Sequence, residues 1–267
     1  MKIITRITVI SIFALLIVAC GNRKNNDPNY IKVGVATGPE YVIAEAAKKV
    51  AKEKYGLEVE LVQFNDYIMP NTSLEQGDID VNVFQTKAFL DEQISRRGYQ
   101  FTIVGNTFIY PMAAYSKKIK SLDELKDGST IVIPNDFANS GRALLLLQEV
   151  GLIKLKEGVT APRLLDITEN PRNLEILELE APQLPRVLDD AKVSLSIINN
   201  NFAGQAGLLL KDAVFAEDKD SPYVNLIVAR EENKDEEKVK KFVQAYQSDE
   251  VEKVAIEVFK GGTVKGW

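Results

Sequence analysis

Residues 31–64 read IKVGVATGPEYVIAEAAKKVAKEKYGLEVELVQF, and the alternation inside this stretch decides the fold class. Ile31 to Val35 is a short β-rich run, and Gly38-Pro39 is a turn. Val42, Ile43, Ala46, Ala47, Val50 and Ala51 then recur at helical spacing, which predicts a helix with one apolar face that ends near Tyr55-Gly56. Glu58 to Phe64 returns to a strand pattern, and Gly77-Asp78 precedes a third strand, Ile79 to Phe84. Strand, helix and strand in this order are the grammar of a parallel, doubly wound α/β sheet.

Further along, the grammar restarts. Ser121 to Lys126 carries a capping-box spacing in Ser121 and Glu124, Thr130 to Ile133 is a strand, and Gly141 to Val150 is a Leu-rich helix closed by Gly151. Strands are expected at Leu174 to Glu178, Ser194 to Ile198 and Val224 to Arg230, and helices at Asp235 to Tyr246 and Asp249 to Phe259. Two such units in 267 residues predict two lobes. The last strand can cross back, so residues 30–110 and 224–267 are expected to form lobe 1 and residues 111–223 lobe 2. A cleft between α/β lobes, at the carboxyl ends of their strands, is where loops deliver side chains to a small ligand.

The front of the chain is different. Lys2 and Arg6 precede an apolar run from Ile7 to Ala19, and Cys20 follows. Thirteen residues are too few for the roughly 20 that a membrane-spanning helix needs. Residues 1–19 therefore read as a signal peptide, and Ile17-Val18-Ala19-Cys20-Gly21 resembles a bacterial lipobox, whose cysteine becomes the lipid-modified first residue. Residues 20–29, polar and rich in Asn, read as a flexible lipid-anchored tether. Loss of Lys2 and Arg6 from 33 basic and 38 acidic residues takes the formal charge from −5 to −7. The expected location is the bacterial cell envelope, membrane-anchored through Cys20 and facing the extracytoplasmic space.

Composition removes several function classes. With no histidine and one cysteine, a Ser-His-Asp or Cys-His catalytic group, a His-ligated zinc and an internal disulfide are excluded. The acidic balance offers no basic face for nucleic acid. No cofactor or metal is expected, because Asp66, Asp78, Asp80 and Asp91 show no metal-ligand spacing and read as solvated acids.

The loops after strands carry the remaining chemistry. In Pro134-Asn135-Asp136-Phe137-Ala138-Asn139-Ser140-Gly141-Arg142 a strand runs into a helix start, with Arg142 in the expected first turn, a place suited to a ligand carboxylate. Asn199 follows a strand and Asn225 lies inside one, where amides are disfavoured, so their carbonyls are candidates for a ligand ammonium. Asn200 and Asn201 read as turn formers. Tyr67, Phe84 and Phe89, in the loops after strands two and three, offer aromatic walls to an apolar or sulfur-containing side chain, with a place in the core as the alternative.

Many ordered motifs carry a resemblance. Lys32-Val33-Gly34-Val35, Lys54-Tyr55-Gly56-Leu57, Phe64-Asn65-Asp66-Tyr67, Gly77-Asp78-Ile79-Asp80, Val104-Gly105-Asn106-Thr107-Phe108, Tyr115-Ser116-Lys117-Lys118, Ile133-Pro134-Asn135-Asp136, Ser221-Pro222-Tyr223-Val224-Asn225 and Val264-Lys265-Gly266-Trp267 resemble the methionine-binding lipoproteins of the NlpA family, the substrate-binding subunits of methionine ABC importers. The resemblance runs from about Ile31 to Trp267. It implies a type II periplasmic-binding-protein fold, two lobes with a two-strand hinge, and no enzyme activity. It further implies delivery of L-methionine or a close derivative to a membrane-embedded ABC transporter permease. Family roles then fall on Arg142 for the carboxylate, Asn199 and Asn225 for the amino-acid head, and Tyr67, Phe84 and Phe89 for the thioether. The family's Phe-Gln-His is here Phe84-Gln85-Thr86, and its Asn-Asp-Pro-Thr-Asn is Asn135-Asp136-Phe137-Ala138-Asn139. Thr86 and Ala88 are thus expected to leave the side-chain end roomier. A surface lipoprotein with altered specificity, and an enzyme on a binding-protein fold, are the competing readings.

Overall fold

The computed structural model describes residues 27–267; the expected leader, Cys20 and most of the tether lie outside them. The first lobe opens with β1 (Tyr30–Ala36), α1 (Pro39–Tyr55), β2 (Glu58–Phe64), α2 (Met69–Glu75), β3 (Val81–Thr86), α3 (Lys87–Arg97) and β4 (Phe101–Ile109). The second follows with β5 (Ala113–Tyr115), β6 (Thr130–Pro134), α4 (Phe137–Glu149), β7 (Lys154–Leu155), β8 (Ile167–Glu169), β9 (Glu175–Leu179), β10 (Val193–Ile198), α5 (Asn200–Gln205) and β11 (Phe215–Ala216). The chain then returns through β12 (Val224–Arg230), α6 (Glu237–Tyr246), α7 (Asp249–Val258) and β13 (Val264–Lys265).

Each lobe is built on one sheet, in the orders β13-β4-β12-β3-β1-β2 and β11-β5-β10-β6-β9. The chain passes between them twice, between β4 and β5 and between β11 and β12. The parallel grammar holds for β1 with β2 and β3, and for β6 with β9 and β10. Both sheets are nevertheless mixed. β12 runs antiparallel to β3 and β4, and β5 antiparallel to β10. An antiparallel return strand is a pairing across more than a hundred residues, which local periodicity does not encode.

Helix α1 covers one sheet face together with α6 and α7. Ile43, Ala47 and Ala51 meet Phe242, Ala245 and Ala255 there, so small side chains let the helices approach closely. The apolar face is rotated from the sequence expectation, since Ala44 is buried and Val42 is exposed. In the second lobe, Ile131, Ile133, Leu144, Leu147 and Ile197 form the corresponding core.

Several boundaries move. Helix α4 starts at Phe137 instead of Gly141, because the Asp136 side chain caps it by accepting the Asn139 N–H at 2.9 Å. Residues 121–126 form only a short 3₁₀ turn at Leu122–Glu124, and β3 begins at Val81. Asp80 is not a solvated acid: it accepts the Lys32 backbone N–H at 2.7 Å and pairs with the mostly buried Lys238 at 2.8 Å. Asp66 accepts from the backbone N–H groups of Ile68 and Met69 and shapes the turn into α2.

The lobes meet along a seam beside α5. Gln205 Nε2 donates to the Thr37 carbonyl at 2.9 Å, and Asn200 Nδ2 to the Gly262 carbonyl at 2.9 Å. Gly38 holds φ at 90°, and a Cβ there would lie 2.3 Å from Gln205 Cγ, so this approach requires glycine. Gly204 is also tight, since a Cβ there would lie 2.6 Å from Pro39 Cγ. On the opposite rim the Phe137 ring lies 5.9 Å from the Arg96 guanidinium of lobe 1 and 5.0 Å from that of Arg163.

Candidate functional site

Between the two sheets lies a narrow space lined from both lobes. Tyr67, Phe84, Thr86, Phe89, Arg142, Asn199 and Asn225 all border it. Every ligand-binding residue nominated from the sequence is therefore brought to one place, although several arrive on elements other than those expected.

The aromatic wall belongs to lobe 1. Phe84 is inside β3 and Phe89 is in the first turn of α3, so neither is a loop residue. Tyr67, in the turn after β2, lies 5.7 Å from Phe84 and 6.1 Å from Phe89, and the two phenylalanines are 5.9 Å apart near edge to face. Phe202 of α5 closes on Tyr67 from the other lobe at 5.0 Å. Such tilted arrangements present ring edges and faces to a guest. Burial, with Glu40 and Asp136 nearby, drives the Tyr67 hydroxyl well above its usual range. Thr86 ends β3 on the pocket side, whereas Ala88 is exposed on α3 and does not shape the cavity.

Arg142 is the sixth residue of α4, so it is not a first-turn arginine, and its negative partner is internal. Nε donates to Glu217 Oε1 at 2.6 Å and Nη2 to Glu217 Oε2 at 2.5 Å. Nη2 also reaches the Tyr110 carbonyl at 3.0 Å, and the guanidinium stacks 4.3 Å over the Tyr223 ring. Glu217 and Tyr223 precede β12, so the arginine is clamped by the crossing segment. The sequence held no signal for Glu217, one of three acids in Glu217-Asp218-Lys219-Asp220. Nη1 makes no hydrogen bond among the described residues, so one edge of the guanidinium stays free.

The asparagines are oriented by a relay. Asp136 can only accept when ionised, so it takes both the backbone N–H and the Nδ2 of Asn139. Asn139 must then turn its Oδ1 outward, where it accepts from Asn199 Nδ2 at 2.8 Å. Asn199 is left with a buried Oδ1 that has no protein partner. Asn225 behaves likewise: its Nδ2 donates to the Phe84 carbonyl at 3.2 Å, which leaves Oδ1 as an acceptor. Two carbonyl oxygens thus await a donor. Burial raises the Asp136 carboxyl above its ordinary range, while its bonds to Asn139 pull the other way.

Asn200 and Asn201, read as turn formers, border the pocket as well. So do Glu40, Gln85, Tyr110 and Asn139, which sequence reasoning did not single out. Glu40 follows β1 at the turn Gly38-Pro39, and loops after strands are where such residues are to be sought. Behind the wall, Asn71, Asn82 and Gln85 form a buried amide triangle. Asn71 Nδ2 donates to Gln85 Oε1, Gln85 Nε2 returns to Asn71 Oδ1 and to Asn82 Oδ1, and Asn82 Nδ2 donates to Asn71 Oδ1, all at 2.8–2.9 Å.

Outside this space a wider cleft runs between the lobes, past Ile68, Arg96, Phe137 and Leu165. Among the described residues no helix is long and apolar enough to cross a membrane.

Comparison with known proteins places this geometry. The NlpA lipoprotein family profile matches residues 31–267. The D-methionine-binding lipoprotein MetQ of Salmonella typhi is 65% identical over 256 residues, covering 95% of this chain and 94% of that one. The crystal structure of the methionine binding protein MetQ superposes with a TM-score of 0.89 at 65% identity, over 90% of this chain and 99% of that chain. A nutrient binding protein from Burkholderia cenocepacia, bound to methionine, superposes with a TM-score of 0.86 at 48% identity, over 89% of this chain and all of the other. The two-lobed binding-protein fold follows from these matches.

Proposed function

The chain belongs to the NlpA lipoprotein family, and from that premise we propose that it captures methionine, or a close derivative, outside the cytoplasm and delivers it to an ABC transporter permease. It does so as a binding protein, without enzyme activity, held at the membrane by acyl chains on Cys20. The observation that carries this reading is the convergence of three chemistries on one space between the lobes. The free edge of the Arg142 guanidinium suits a carboxylate. The unpartnered oxygens of Asn199 and Asn225 suit an ammonium. The rings of Tyr67, Phe84 and Phe89 suit a polarizable thioether, each sulfur–ring contact contributing about 0.3–1.5 kcal/mol.

The head-group contacts give affinity for amino acids in general, and the aromatic wall selects among side chains. Thr86, a small side chain on the pocket edge, favours tolerance of methionine derivatives, and this supports a second reading in which specificity has shifted. Titration of the purified, ligand-stripped protein decides between them. L-methionine, D-methionine, methionine sulfoxide, norleucine and the other common amino acids are followed by heat and intrinsic fluorescence. Saturable, tightest binding of L-methionine supports the first reading; tightest binding of D-methionine keeps the function and corrects the stereoisomer. Saturation only by a different class of amino acid supports the second.

A further inference from the structure

We propose that Glu40 is the counter-charge for the ligand's ammonium group and that it couples ligand capture to the seam between the lobes. This deepens the methionine-binding reading and rests on it. Glu40 borders the pocket, is 4% exposed, and its carboxyl makes no hydrogen bond or ion pair among the described residues. A buried acid without a partner is unfavourable as an anion, so its presence in a binding cavity calls for a cation that arrives from outside.

The charges around it support the same conclusion. The hydroxyls that feel the Glu40 charge are those of Tyr67 in the turn after β2, Tyr110 in the crossing segment and Tyr246 in α6. None of these brings a positive charge. Across the cavity Arg142 of α4 is already neutralised by Glu217, and Asp136 at the α4 cap is a further acid. Among the described residues the only cation that lines the pocket is therefore committed, and Glu40 is the uncompensated acid. A bound amino acid brings its ammonium to Glu40 and the Asn199 and Asn225 oxygens, while its carboxylate hydrogen-bonds the free edge of Arg142. Amide oxygens alone would leave a buried ammonium without a counter-ion.

Position adds the coupling. Glu40 follows directly on Gly38-Pro39, the segment pressed against Gly204 and Gln205 of the other lobe. An ammonium held between Glu40 in α1 and Asn199 before α5 ties together the two elements that form the seam. Burial holds the empty-site carboxyl up to about 8, so at neutral pH it carries a proton that an arriving ammonium expels.

The test compares L-methionine with its desamino analogue, 4-(methylsulfanyl)butanoic acid, on the wild-type chain and on Glu40→Gln. Glu40→Gln is expected to weaken methionine by about 30-fold or more while changing the desamino acid by less than about threefold. Calorimetry at pH 7 in buffers of different ionisation enthalpy is expected to show proton release on methionine binding to wild type and none for the variant. Equal affinities of the two proteins for methionine, equal losses for both ligands, or unchanged proton release would each overturn the assignment. If methionine binds neither protein, the parent reading falls and the assignment with it, a result distinct from intact wild-type binding with no effect of the variant. If the variant does not fold, the wild type decides alone: the methionine-to-desamino affinity ratio must rise between pH 5.5 and 8, and a flat ratio overturns the proposal.

Discussion

Arg142 and Glu217 form a two-pronged buried ion pair that joins α4 of the second lobe to the segment crossing back into the first. Arginine at the edge of a pocket invites the inference that its negative partner is the ligand, yet most of its charge is answered within the protein. Removing either partner leaves the other buried and uncompensated, at roughly 3–5 kcal/mol. Arg142→Ala is therefore expected to lower thermal stability as well as weaken methionine by about 30-fold or more. Arg142→Met combined with Glu217→Leu is expected to recover much of the stability and none of the affinity. Melting curves and calorimetry on the three proteins check this; a double variant that binds as wild type removes Arg142 from the site.

The amide relay gives a second prediction. Asp136→Asn keeps a good helix cap, so stability is expected to change by less than about 1 kcal/mol. The new side chain can donate as well as accept, and it no longer dictates which way Asn139 and Asn199 point. Methionine affinity is expected to fall by about tenfold, the loss of roughly one hydrogen bond to a charged group. Unchanged affinity would show that the relay does not set the Asn199 orientation.

Glu40 makes the stability of the empty protein depend on pH. Its carboxyl is held at about 8 in the fold against an ordinary value of 4.5, so between these limits the folded state holds a proton that the unfolded state has released. The associated stability is complete below pH 4.5 and is lost as pH rises through 8. Glu40→Gln does not titrate, so its stability relative to wild type is expected to improve with rising pH, by at most roughly 1.4 kcal/mol per unit. Melting temperatures of both ligand-free proteins at pH 5, 6.5 and 8 measure this. A constant difference across the range would contradict it.

The membrane attachment is testable by itself. Cys20→Ser is expected to give a folded protein that no longer fractionates with membranes, because acyl chains contribute about 0.8 kcal/mol per buried methylene and the serine carries none. Intact mass of membrane-extracted wild type showing an unmodified thiol would contradict the anchor.

Much of this architecture is written in local patterns. β2 and β12 occupy the spans their residues predict, since each is a β-rich run bounded by turns. The start of α4 was harder to see, because Asn139 and Gly141 are weak helix formers and argue for a later beginning; one capping carboxylate, Asp136, overrides them. Phe84 and Asn225 signalled the site through residue type in a strand context. Glu217 gave no such signal, for its role exists only once a crossing segment has brought it against Arg142. Glu40 was hidden differently. An acid in a first helical turn is what the helix dipole favours anyway, so its burial is visible only in three dimensions.

The triangle of Asn71, Asn82 and Gln85 restricts how the pocket floor can change over generations. Each amide answers two others, so one truncation orphans buried donors or acceptors on both neighbours, at about 1–3 kcal/mol each. Replacing all three by apolar residues of similar shape removes those orphans and can come close to neutral. The single steps are thus deleterious although the end point is accessible, which is strong epistasis. Selection for a different ligand would find the aromatic wall and the Thr86 edge open to stepwise exploration, while the strand that carries Phe84 stays fixed by a set of amides that can only be exchanged together.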